Sequence, residues 1–139
     1  MTDTPDSFTG GCLCGAVRYE VRGAPTWIAY CHCESCRRHT GAPVSPFVGV
    51  TRTQLSYSGE APLGYASSPG VTRSACPHCG TPIAYETESR PDDVDLYLGT
   101  LDEPERFVPT FHVHCAEQLP WLHIDDDLPR HERSSISPE

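Results

Sequence analysis

A chain of 139 residues has the length of one domain, and its net charge of −9, from 19 acidic and 10 basic residues, argues against a nucleic-acid partner. Every basic residue is arginine, which excludes a lysine nucleophile or Schiff base. The N-terminal stretch has no basic-then-apolar leader and no apolar run has membrane-spanning length, so a soluble cytoplasmic protein with no membrane partner is expected, its thiols reduced.

In chain order the pattern is that of short strands. AVRYEVR (16–22) alternates Val17, Tyr19 and Val21 against Arg18, Glu20 and Arg22, the period-two signature of a half-buried strand. A short helix is expected over ESCRRHTG (34–41), closed by Gly41. Further strands are read at VSPFVGV (44–50), QLSYSG (54–59), SACP (74–77) with PIAYE (82–86), VDLYLGT (94–100) and TFHVHC (110–115). The 14 prolines and 11 glycines supply the turns between them. The fold class is therefore all-β with short helical turns. A single domain is expected over residues 8–131, with flexible ends at 1–7 and 132–139.

Seven of the eight cysteines fall into three groups: Cys12-x-Cys14, Cys31-x-Cys33-x-x-Cys36 and Cys76-x-x-Cys79. Tetrahedral zinc sites commonly take two sulfurs from each of two tight turns. CPHCG (76–80) reads as such a turn, and GGCLCGA (10–16) as a tighter one. Disulfides are disfavoured by the reducing setting and by the strain of closing a C-x-C pair on itself. A dithiol redox pair at 76–79 lacks its βαβ context. One four-sulfur site leaves three clustered cysteines, enough for a second site with an available position. Spacing leaves open which pair joins Cys76 and Cys79.

The remaining candidates are weaker. Cys115 shares strand parity with Phe111 and Val113, which predicts a buried, inert position. His112 and His114 have the opposite parity, facing a pocket or solvent. His32 is expected to point away from its cysteine neighbours, and His78 to be exposed. Phe47 and Trp121 are read as core residues or as pocket lining.

GGCLCGAVRYEV, CHCESCRRHTG, SACPHCGTPIAY, LGTLDEP and FHVHCAEQLPWL followed by DDLPRH occur in the order of one family. The chain resembles the glutathione-dependent formaldehyde-activating enzyme family (the Gfa/CENP-V group) over residues 8–131. The resemblance implies an Mss4-like β-fold of short antiparallel strands holding two zinc ions. By position, Cys12, Cys14, Cys76 and Cys79 would hold a structural zinc, and Cys31, Cys33 and Cys36 a catalytic one. It also implies a carbon–sulfur lyase acting on an adduct of a thiol such as glutathione with an aldehyde such as formaldehyde. Glutathione's two carboxylates make Arg37, Arg38 and Arg73 candidate clamps, with Phe47 and Trp121 lining the pocket. His114 and Cys115 depart from the aromatic and aliphatic residues the family tends to have there. The alternative is a non-enzymatic zinc-stabilised binding domain, its second cluster closed by His32 or another internal ligand.

Overall fold

The computed structural model describes residues 6–135 and is mostly β. Among the described residues ten strands occur in order: β1 (Ser7–Gly11), β2 (Arg18–Arg22), β3 (Trp27–Cys31), β4 (Ser45–Thr51), β5 (Leu55–Tyr57), β6 (Leu63–Ser68), β7 (Val71–Ala75), β8 (Pro82–Thr87), β9 (Asp93–Tyr97) and β10 (Phe111–Val113). A helix, α1 (Glu34–Thr40), lies between β3 and β4. Gly41 ends it in the left-handed conformation, with φ 75°, and donates its N–H to the Arg37 carbonyl.

Two sheets form. One has the order β1-β2-β5; the other runs β10-β3-β4-β9-β8-β7-β6. All pairings are antiparallel except β10 with β3, which is parallel. The expected antiparallel class thus holds apart from that one edge pair. Strands β1, β3 and β6 add to those expected from periodicity.

One apolar cluster joins the sheets. Val17, Tyr19 and Val21 from around β2 pack with Val48, Val50, Val94 and Leu96 from β4 and β9. These β4 and β9 residues are all even-numbered, so the odd-numbered residues of those two strands lie on the sheet's other face. That face carries the candidate site.

Of the ends expected to be loose, residues 1–5 and 136–139 lie outside the described residues. Ser7 begins β1, and the carbonyls of Glu132 and Arg133 accept hydrogen bonds from Ala116 and His114, so those neighbours belong to the fold.

Candidate metal centres and cavity

Cys12 and Cys14 follow β1, while Cys76 and Cys79 sit on the turn between β7 and β8. Gly80 has φ 80° and donates to the Cys76 carbonyl, a closure that a side chain would strain. The four sulfurs lie within 4.8 Å of one another. Cys12 Sγ is 3.6 Å from Cys14 Sγ, which is 3.8 Å from Cys76 Sγ. Sulfurs held about 2.3 Å from a tetrahedral zinc lie about 3.8 Å apart, so this donor set fits that ion. Backbone N–H groups of Val17, His78 and Cys79 point at Cys12 and Cys76 sulfurs, as suits thiolates. His78 is exposed and bonded to Glu60.

Cys31, Cys33 and Cys36 form the second group, also within 4.8 Å, with Cys31 and Cys36 sulfurs 3.6 Å apart. Cys33 caps α1: its sulfur accepts the N–H of Cys36 at 3.3 Å. The three thiols do not ionise together unaided. Hydrogen bonds from Cys31 and then Cys36 hold Cys33 far below the ordinary thiol value. Bonds to Cys33 and Cys36, followed by burial, push Cys31 well above it. Three thiolates at this spacing need a cation among them, and a sulfur-only set fits zinc.

His32 is not among these donors. It is fully buried, with Nε2 2.9 Å from His112 Nδ1, and His112 Nε2 donates to Asp126 Oδ2 at 2.9 Å. Burial, and next the His112 ring, lower His32 to about 4, so it is neutral at pH 7. The row anchors the CHC turn from behind, and the alternative in which His32 closes the cluster does not hold in this geometry.

A cavity of about 650 Å³ opens above Cys31, Cys33 and Cys36. Odd-numbered residues of the large sheet line it, among them Trp27, Phe47, Arg73, Tyr85, Asp95 and Phe111. Arg73, 6% exposed, donates from Nη1 to Cys36 Sγ at 3.4 Å and to the Tyr97 hydroxyl at 3.1 Å. Its guanidinium lies 4.8 Å above the Tyr85 ring. Tyr97 in turn donates to His39 Nδ1 at 2.7 Å. Arg90 makes a bidentate fork on Asp95, at 3.1 and 2.7 Å. Burial raises Asp95 above the ordinary carboxylate value, against the pull of that fork.

Several expected positions move. Phe47 lines the cavity at 4% exposure, but Trp121 is 65% exposed and outside it, because residues 119–122 form a surface turn. Arg37 and Arg38 are not cavity residues: with Cys36 turned inward, they project about 100° and 200° further round the helix. Arg38 pairs with Glu34 on the exposed face. The strand expected at 110–115 stops at Val113, because His114 adopts φ 56° and reverses the alternation. His112 is consequently buried while His114 lines the cavity. Cys115 is half-buried and starts a 3₁₀ turn over Cys115–Glu117, rather than continuing the strand. Sequence reasoning missed Trp27, Tyr85, Phe111 and the Arg90–Asp95 pair as cavity residues, and Tyr97 as the partner of Arg73; the alternation of TWIAYC just before the cluster is a signal for Trp27 alone.

A β-fold carrying one four-sulfur and one three-sulfur group defines a cysteine-rich protein able to hold metal at two places. Residues 7–117 match the family described as glutathione-dependent formaldehyde-activating enzyme, and the chain belongs to that family. An uncharacterized lyase of Schizosaccharomyces pombe is 34% identical over 95 residues, covering 66% of this chain and 67% of that protein. A crystal structure of a Rhodobacter sphaeroides protein superposes with a TM-score of 0.57 at 24% identity, covering 68% of this chain and 87% of the other. That likeness concerns the fold. No helix among the described residues is long and apolar enough to cross a membrane.

Proposed function

We propose that the protein is a zinc-dependent carbon–sulfur lyase that forms or cleaves a hemithioacetal, with glutathione and formaldehyde the pair its family indicates. The observation that carries this reading is the convergence of three sulfurs, rather than four, beneath an accessible cavity. Cys12, Cys14, Cys76 and Cys79 would hold a structural zinc, and Cys31, Cys33 and Cys36 a second one. A zinc held by three thiolates with a further position for substrate stabilises a bound thiolate or polarises an oxygen.

In the cleavage direction the carbon–sulfur bond breaks, its electron pair goes to sulfur, and the hydroxyl loses its proton as the carbonyl forms. The leaving thiolate is later protonated to the free thiol. Arg73 holds Cys36 through Nη1 and so fixes one wall of the sulfur floor. The left-handed turn at His114 places its imidazole at the cavity, where it would take the hydroxyl proton. The aromatic walls limit water around the developing thiolate. Such clusters remain reduced in the cytoplasm, where we place the protein.

Metal analysis with two variants tests the reading. Wild type should carry two zinc ions and turn over S-hydroxymethylglutathione or a related adduct. Cys33→Ser should retain the fold and one zinc while losing activity. Cys76→Ser should lose the fold, because a structural metal supplies folding free energy. Equal collapse of both variants, or a fully loaded wild type inert towards every thiol–aldehyde adduct, would refute it.

A further inference from the structure

The walls above the three sulfurs are aromatic, and the strand register puts them there. Phe111 of β10 stands opposite Ala29 of β3, and Ala29 opposite Phe47 of β4, so one cross-strand row reads large, small, large. Neighbouring strands lie about 4.8 Å apart, which sets Phe111 and Phe47 about two such spacings from each other across Ala29.

Two residues back along β3 on the same face, Trp27 stands opposite Gly49, and its indole lies across that glycine: a Cβ on Gly49 would come within 2.2 Å of the ring. The four large rings pair two and two. Trp27 and Phe111 centroids are 6.2 Å apart, and those of Phe47 and Tyr85 6.3 Å. At the end of β3 and on helix α1, the same cavity reaches Cys31, Cys33 and Cys36.

Most of the charged groups along this wall are engaged, though Arg73 Nε is buried without a partner. Arg73 Nη1 is bonded to Cys36 and Tyr97, and Arg90 forks onto Asp95. A ligand bearing two carboxylates has the open Arg73 Nε for one of them, but would have to break one of these bonds to clamp the other, at the cost of leaving a buried group unpaired. A flat apolar ring needs no such exchange, and it gains edge-to-face or offset contacts with the paired aromatics. A cavity of about 650 Å³ accommodates a ring together with the reacting carbon and sulfur.

We propose that the cavity is selective for a hemithioacetal bearing an aromatic ring one carbon from sulfur, with the ring between the Trp27–Phe111 and Phe47–Tyr85 pairs. The inference rests on the reading of Cys31, Cys33 and Cys36 as the thiol-binding centre and specifies the group attached there. The ring can enter on the thiol, as in phenylmethanethiol, or on the aldehyde, as in benzaldehyde. In both cases it stands one carbon from sulfur.

Calorimetric titration of the zinc-loaded full chain with phenylmethanethiol, 2-mercaptoethanol and glutathione tests this. Phenylmethanethiol should bind at least about tenfold tighter than either of the other two. Phe111→Ala and Trp27→Leu should each narrow the ratio between phenylmethanethiol and 2-mercaptoethanol. The wild-type ratio is decisive even if a variant folds poorly. A ratio near one, or glutathione as the tightest ligand, would overturn the aromatic preference while leaving the thiol centre standing. Failure of all three thiols to bind would overturn both. Turnover of benzaldehyde and formaldehyde adducts of the same thiol then locates the ring: faster benzaldehyde turnover places it on the aldehyde carbon. Faster formaldehyde turnover, together with preferred phenylmethanethiol binding, places it on the thiol.

Discussion

Replacing Arg73 by methionine removes a cation from directly beside the three-sulfur group while keeping much of the side-chain volume. In the native arrangement Nη1 is 3.4 Å from Cys36 Sγ and 3.1 Å from the Tyr97 hydroxyl, and the side chain is almost fully buried. Three thiolates with one Zn²⁺ would carry −1, which Arg73 would bring to zero. Unit charges 4 Å apart attract by about 4 kcal/mol at an effective dielectric constant of 20. Burying the guanidinium offsets much of that, so a charged hydrogen bond worth about 1.5–3 kcal/mol is the appropriate scale. That corresponds to roughly 10–150-fold in zinc affinity, in line with the effect of removing a hydrogen-bond partner of a metal ligand. Competition against a chromophoric chelator should show weakened binding of one zinc in Arg73→Met and unchanged binding of the other, the four-sulfur site serving as internal control. Arg73→Lys, which retains charge but loses the planar fork, should fall between. Equal weakening at both sites, or no weakening at the three-sulfur site, would refute the reasoning.

Three other perturbations have definite outcomes. Gly49→Ala should destabilise the fold by about 1–3 kcal/mol in urea unfolding and shift tryptophan fluorescence, since the added methyl meets the Trp27 ring. Tyr19→Phe should cost about 1 kcal/mol, because the buried Tyr19 hydroxyl donates to Thr100 Oγ1 at 2.6 Å, which itself donates to the Tyr97 carbonyl. His39 is depressed by burial and then by the Arg73 charge, so its NMR titration midpoint should lie below the usual value of about 6.5. The unfolded chain then binds the proton more readily. Stability from this group is full above about pH 6.5 and falls as pH drops towards the lower folded midpoint, a slope that His39→Gln should flatten. A normal midpoint, or an unchanged slope in the variant, would count against that placement.

The cysteine clusters were legible because C-x-C and C-x-x-C spacing keeps their members within short turns, but spacing left open which pairs converge, and the structure groups Cys12 and Cys14 with Cys76 and Cys79. Strands with one buried face were legible as well, as at Val17, Tyr19 and Val21. Strand β6 was not: all six of its residues are exposed, so LGYASS carries no alternation for a buried face to impose. Strand β1, SFTGG, ends in two glycines that read as a turn. The cavity was hidden for another reason. Residues 27, 47, 85 and 111 come together only through the register of separate strands, which their order in the chain does not encode. Arg37 and Arg38 drew attention by adjacency to Cys36, yet on a helix the next residue points about 100° away.

The two sulfur groups also differ in when they can assemble. Cys31 and Cys36 are separated by 5 positions, whereas Cys14 and Cys76 are separated by 62. Closing the longer loop costs about 2 kcal/mol more chain entropy. A metal ion can therefore be captured by residues 31–36 while the rest of the chain is still unfolded. An ion at the four-sulfur group would have to wait until β1 and β7 have been brought together. Loading would begin at the cavity and end at the sheet junction, and on unfolding the local chelate should be the last to release its ion.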